Sequence, residues 1–274
     1  MRAIGGLQFY LGGCQGYGQM VKVGKIAVLA SDSPDAQAAK SDLTCRYGNV
    51  AEEEADMIVA LGGDGFMLGT LHMTRELDVP VYGMNRGTFG FLMNSYSEIN
   101  LLERLELAEE EVINPLSMRA NTMSGNHHRS LAINEVSLLR AGPQAAKLKI
   151  SVDGKVRMEE LVCDGVIVST PAGSTAYNYS AHGPILPIDS DVLALTPVAA
   201  YRPRRWRGAL LPKSAVVRID VVHPQKRPVM ADADSRWVEN VKWVEIRSES
   251  RISHRILFDP GHGLQERLIR EQFV

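Results

Sequence analysis

The 274-residue sequence predicts an α/β N-terminal domain with an open, largely parallel sheet, followed by a mostly antiparallel β C-terminal domain. Three observations predict it. Up to about Pro115, apolar strand-like runs alternate with helix signals, the rhythm of a parallel sheet covered by helices. Beyond Pro115 the rhythm changes to short β-rich runs. Two of these flank Asp153-Gly154, a two-residue turn of the kind that joins antiparallel neighbours.

The elements follow in order. Residues 1–24 are glycine-rich and aperiodic, with Arg2 and Lys22 the only charges. They are expected to be a flexible leader, or the result of a start placed ahead of Met20; Leu11–Cys14 faintly resembles a lipoprotein cleavage box, but the apolar stretch is short and interrupted by Gln8 and paired glycines, so export is not expected. Lys25–Ser31 (KIAVLAS) reads as a buried strand, and Ser33-Pro34 supplies a helix N-cap and first-turn proline, with Gly48 closing that helix. Asp56–Leu61 is a second strand, leading into Gly62–Gly65 and a helix expected to run through Leu77. Val79–Met84 is the third strand, and Ser95 with Glu98 predicts a capping box before a helix with Ile99, Leu102, Leu105 and Leu107 on its apolar side. The β runs expected beyond are Leu131–Arg140, Lys147–Val152, Val156–Leu161, Val166–Ser169, Val216–Val222 and Val241–Arg247. His127-His128 reads as exposed loop. The resulting domains are 25–115 and 116–250, with a tail (251–274) whose short amphipathic helix packs back on the first domain.

Composition narrows the function. A net charge of −2 gives no global basic field, so nucleic acid is not an expected partner. Cys14, Cys45 and Cys163 are isolated, which argues against a disulfide framework or zinc site and suits a reducing compartment. No apolar run approaches the roughly 20 residues that span a bilayer. A cytoplasmic enzyme is the expectation.

The strongest local signal is Gly62-Gly63-Asp64-Gly65, at the carboxyl end of a strand and the start of a helix. There, backbone N–H groups and the helix N-terminus favour phosphate. The alternative is a plain turn in which Asp64 caps the helix. No GxxxxGK[ST] motif is present, and Gly83–Gly90 does not match GxGxxG, so neither a P-loop enzyme nor a Rossmann dehydrogenase is supported. Asn134 and Glu135 are adjacent on an expected strand, which would turn only one of them toward a site. Thr170–Tyr177 (TPAGSTAY) is a hydroxyl-rich loop suited to a dinucleotide. The basic run Arg202–Arg207 reads equally as a polyphosphate-steering patch or a solvated loop.

Four stretches in order, GGDG at Gly62–Gly65, NxGxxGFL at Asn85–Leu92, Asn134-Glu135 and DGxxxSTPxGSTAY at Asp164–Tyr177, resemble the NAD kinase family. The similarity spans roughly residues 25–250. Diacylglycerol and sphingosine kinases and phosphofructokinases share the first motif; the Asn-Glu pair and the STPAGSTAY run single out the NAD branch. The resemblance implies transfer of the ATP γ-phosphoryl group to the 2′-hydroxyl of the adenosine ribose of NAD, giving NADP. It implies Asp64 as general base and Gly62, Gly63 and Gly65 along the phosphate path. It places Gly65, Phe91, Asn134, Glu135, Asp164, Thr175, Ala176, Tyr177, Ser180, Ala199 and Asp234 against NAD, with Asp232 a competing register for Asp234. It implies a divalent metal ion, Mg²⁺, with no protein ligand assigned, and a homo-oligomer, dimer or tetramer, in which one subunit completes another's site. Polyphosphate as donor and NADH as acceptor stay open. The sequence departs from the family pattern at Ala172, where threonine or serine is usual, and at Cys163, where glycine precedes the DG pair. Neither change removes a group assigned to catalysis. The competing readings are a lipid or sphingoid-base kinase, which would need an apolar channel, and a dinucleotide-binding regulator without catalysis.

Overall fold

The computed structural model describes residues 24–87 and 90–273. The leader expected over residues 1–24 therefore lies outside the described residues, Gly24 excepted. The first half runs β1 (Ile26–Ala30), α1 (Pro34–Tyr47), β2 (Met57–Gly62), α2 (Asp64–Met73), β3 (Val81–Asn85), α3 (Leu101–Leu107) and β4 (Glu109–Ile113). Then come β5 (Leu116–Thr122), β6 (His127–Ala132), β7 (Glu135–Arg140), β8 (Ala146–Val152), β9 (Lys155–Cys163), β10 (Gly165–Ser169) and α4 (Tyr177–Ser180). The remainder is β11 (Val192–Val198), β12 (Ala209–Pro212), β13 (Val217–Val221), β14 (Val229–Ala233), β15 (Arg236–Val238), β16 (Val241–Ser248), β17 (His254–Phe258) and α5 (Leu264–Glu271).

One sheet has the order β1-β2-β3-β17-β4, parallel throughout except for the β17–β4 pair. Every residue of β2 is buried, which is why its sequence is continuously apolar instead of alternating. The start of α1 is local chemistry: Ser33 Oγ accepts the Ala36 N–H at 3.3 Å, Pro34 takes the first turn, and Gly48 ends the helix at φ 81°. The remaining strands form two six-stranded antiparallel sheets, β12-β11-β10-β7-β14-β15 and β6-β5-β16-β13-β8-β9. One apolar core takes Val136, Val166 and Val229 from the first and Met118, Ile219 and Val244 from the second, so the two pack face to face. The β8–β9 turn has Asp153 and Gly154 at φ 51° and 73°, the positive pair that a two-residue hairpin of this kind requires.

The structure alters several sequence expectations. Leu131–Arg140 is two strands, because the chain leaves the sheet at Ile133-Asn134 to bond elsewhere. His127-His128 begins β6 and is exposed on a strand instead of a loop. Helix α2 stops at Met73, and Leu77 lies in a turn bonded to Thr74. No capping box forms at Ser95 and Glu98. Their carbonyls are taken by Arg104 and by Tyr47 and Arg46, and α3 starts instead after Asn100, at φ 57°. The buried face of α3 is Leu101 and Leu105, with Ile99, Leu102 and Leu107 exposed.

The tail does more than pack back. Strand β17, unforeseen in the sequence, inserts between β3 and β4, and α5 follows with Leu264 and Leu268 buried. Leu264 shares a core with Met67 and Leu71 of α2 and with Ile133 and Ala172 of the antiparallel half. That shared core fixes the seam between the halves, where the site lies.

Candidate active site

Asp64 is the first residue of α2, and Gly63 occupies the N-cap without a side-chain cap. The helix-cap reading of Asp64 does not describe its bonds. Its carboxylate reaches a separate loop, where Oδ2 accepts the Phe91 N–H at 2.7 Å and Oδ1 the Leu92 N–H at 2.8 Å. Burial pushes its pKa above the ordinary aspartate value, opposed by those two N–H groups and by the positive charge of Arg267. A Cβ added at Gly63 or Gly65 would meet nothing within 4 Å, and neither residue has positive φ. These glycines therefore serve no protein contact or backbone conformation; they leave bare space at a helix N-terminus.

Asn134 is fixed from three directions. Asp234 accepts its backbone N–H at 3.1 Å and also the N–H of Ile133. Thr170 Oγ1 donates to the carbonyls of Ile133 and Asn134 at 2.7 and 3.1 Å. Gly173 lies so close that a Cβ there would fall within 2.4 Å of the Asn134 backbone, which explains the glycine in TPAGST. The backbone of Asn134 is thus consumed, while its side-chain amide has no hydrogen-bond partner among the described residues.

Asp64 and Asn134 meet in a cavity of about 300 Å³ lined also by Phe91, Leu92, Ala172, Thr175, Ala176 and Glu271. Of the residues named from the sequence, Asp64, Phe91, Asn134, Thr175 and Ala176 line it. Others lie outside that lining. Glu135, at the start of β7, has Oε2 buried without a hydrogen-bond partner among the described residues, and burial with the charges of Asp234 and Asp232 pushes its pKa up to about 8. Tyr177 begins α4 and is half-buried, whereas Ser180 and Ala199 are exposed. Asp164 is paired with Arg140 at 2.6 Å. Asp234 was expected against the ligand. Its side chain is instead 1% exposed and spent on His72, Ile133 and Asn134, so it stands behind Asn134. Asp232 binds the Ser235 N–H. The run Arg202–Arg207 leaves the sheet beside Val162 and is absent from the cavity lining.

Sequence reasoning missed three contributors. His72 of α2 bonds Asp234 at 2.9 Å, joining the helix of Asp64 to the turn of Asn134. Glu271 reaches the cavity and Arg267 the Phe91 loop, both from α5. The spacing of Leu264, Arg267, Leu268 and Glu271 is one helical face, so their common direction was readable, though not its target.

Two family models match the chain, the ATP-NAD kinase N-terminal domain over residues 21–110 and the ATP-NAD kinase C-terminal domain over residues 133–250. An NAD kinase of Cereibacter sphaeroides is 70% identical over 250 residues, covering 91% of this chain and 98% of that one. An NAD kinase of Caulobacter vibrioides is 58% identical over 251 residues, covering 92% and 96%. A yeast NADH kinase complexed with NADH superposes with a TM-score of 0.78 at 20% identity, covering 92% of this chain and 87% of that one. An Archaeoglobus fulgidus NAD kinase in complex with ATP gives 0.70 at 24% identity, covering 91% and 97%. At those identities the two structures speak for the fold alone, while the sequence matches decide the family: this chain belongs to the NAD kinases.

Proposed function

We propose that this chain transfers the γ-phosphoryl group of ATP to the 2′-hydroxyl of the adenosine ribose of NAD, releasing ADP and NADP, with Asp64 as general base. The observation that carries the reading is a half-buried carboxylate held by two N–H groups beside the bare glycines of a helix N-terminus, in one cavity with an asparagine amide that has no partner among the described residues.

Asp64 keeps lone pairs free after accepting one N–H on each oxygen, so it can orient the 2′-hydroxyl and take its proton. Its raised pKa makes it the stronger acceptor. As the ribose oxygen bonds to the γ-phosphorus, the bond from that phosphorus to the bridging oxygen breaks and ADP leaves. Gly63 and Gly65 let the phosphates approach the backbone, and the α2 N-terminus favours their charge. Asn134 and the Thr175-Ala176 loop hold the adenosine half, with Tyr177, Glu135, Asp164 and Ser180 around it.

Among the described residues, no group of three or more His, Cys, Asp or Glu side chains is placed to hold a metal ion. That donor set fits Mg²⁺ carried on the triphosphate with mainly phosphate and water ligands, Asp64 and Glu271 being the carboxylates that line the cavity. When bound, the ion would neutralise charge on the transferred phosphoryl group.

The same reading makes the enzyme a cytoplasmic homo-oligomer with neither nucleic acid nor membrane as partner. No helix among the described residues is long and apolar enough to cross a membrane. Ala199 is exposed and absent from its own chain's cavity lining, as a residue offered to a neighbouring subunit would be. A lipid kinase is disfavoured because the cavity sets four polar side chains, Asp64, Asn134, Thr175 and Glu271, among its apolar ones. Incubation with NAD, ATP and Mg²⁺ tests the proposal through formation of NADP; phosphorylation of a sphingoid base or diacylglycerol instead would overturn it.

A further inference from the structure

Arg267 sits on α5 between Leu264 and Leu268, the two buried anchors of that helix. Its Nη1 donates to the carbonyls of Phe91 and Met93, each at 2.8 Å, and of Gly90 at 3.3 Å. Its Nε donates to the His262 carbonyl at 2.7 Å, and its guanidinium carbon lies 5.1 Å from the ring centroid of buried Phe258. One planar cation therefore gathers three carbonyls of a single short loop. The opposite polar groups of that loop, the N–H groups of Phe91 and Leu92, carry the Asp64 carboxylate.

We propose that Arg267 is a positioning residue for Asp64, clasping by its carbonyls the loop whose N–H groups hold the carboxylate in place. The inference rests on the reading of Asp64 as general base. Arg267 does not line the Asp64 cavity but a neighbouring one of about 510 Å³ that shares Phe91 and Glu271 with it. It therefore acts through the loop. An arginine suits the role because its rigid planar group holds Nη1 on the loop carbonyls, Nε on the His262 carbonyl and its carbon over the Phe258 ring at once, directions that a flexible lysine does not pre-organise. Asp64 and Asp259 attract the Arg267 cation and Arg270 opposes it, so the cation also favours the ionised base.

The test measures NADP formation by the full chain with Arg267→Met, Arg267→Lys and Asp64→Asn, alone and combined. Arg267→Met is expected to lower kcat about 10- to 100-fold, because a displaced base costs rate steeply. KM for NAD and for ATP should change little. The acidic limb of the kcat profile should move to higher pH, since both the lost cation and the loosened N–H groups raise the Asp64 pKa. Arg267→Lys should recover part of the loss, and Arg267→Met added to Asp64→Asn should cost little more. A kcat within about twofold of the parent in a protein that still melts cooperatively would overturn the inference. So would an additive loss in the double variant, or a defect confined to the KM for ATP, which would make Arg267 a donor-binding residue. If Arg267→Met does not fold, Arg267→Lys carries the same three criteria. Normal turnover in Asp64→Asn would instead defeat the base reading itself, a result distinct from an unaffected Arg267→Met beside an inactive Asp64→Asn.

Discussion

His72 Nε2 lies 2.9 Å from Asp234 Oδ2, and the two side chains are 3% and 1% exposed. Through this bond the helix that begins at Asp64 is tied to the turn that presents Asn134, since Asp234 also accepts the N–H groups of Ile133 and Asn134. Asp234→Ala would leave two backbone donors and an imidazole without their acceptor. A buried polar group left unmade costs about 1–3 kcal/mol, so thermal unfolding should show a Tm lower by several degrees or more. The KM for NAD should rise with it. An unchanged Tm would show that the turn is held by Thr170 alone.

Gly65 offers a cleaner separation of stability from function. It lies within α2, and a Cβ there meets open space. Alanine at a helical glycine gains up to about 1 kcal/mol. Gly65→Ala should therefore keep or raise the Tm while lowering kcat/KM for ATP about tenfold or more, because the methyl would occupy the phosphate approach. Steady-state kinetics together with a melting curve decide it, and wild-type kinetics would refute the phosphate path.

Glu135 gives a pH signature. Burial holds its folded pKa at about 8 against the ordinary 4.5. Below pH 4.5 both folded and unfolded forms keep the proton. As pH rises from there the unfolded chain ionises first, so stability falls until about pH 8 and then levels. Glu135→Gln removes that titration. Its Tm should match the parent near pH 4.5 and exceed it by several degrees at pH 8. Equal melting at both pH values would place an ionised Glu135 in the folded protein.

Asn134→Ala tests substrate reading. The amide has no protein partner among the described residues, and its loss would strand groups of the bound adenosine at a cost of about 1–3 kcal/mol. Apparent NAD affinity should weaken roughly five- to a hundredfold, while the KM for ATP moves far less. Equal weakening for both substrates would make Asn134 architectural.

What the sequence disclosed depended on how local the cause was. The N-cap Ser33-Pro34, the closing Gly48 and the Asp153-Gly154 turn were legible because each is set by neighbouring residues. So was β2, because burial on both faces writes a continuous apolar run. The break at Ile133-Asn134 was not, since Asp234 and Thr170, distant in sequence, draw those backbone groups out of the strand. Ser95 and Glu98 carried a sound local signal that tertiary bonds from Tyr47, Arg46 and Arg104 overrode. The placement of β17 was hidden for the same reason: its partners in the sheet are β3 and β4. At the site, the motifs that resemble the NAD kinase family named Asp64 and Asn134, whereas the bonds of Arg267 and His72 join residues that no motif links.

The most direct test is the turnover of Asp64→Asn, measured as NADP formation at saturating NAD, ATP and Mg²⁺. The amide keeps one acceptor for the Phe91 and Leu92 N–H groups, turns a donor toward the other, and cannot accept the ribose proton at neutral pH. A fall in kcat of about 10²- to 10⁴-fold, with a much smaller change in the KM for NAD, is the predicted result. Near-normal turnover in a folded variant would contradict the assignment of Asp64 as the base.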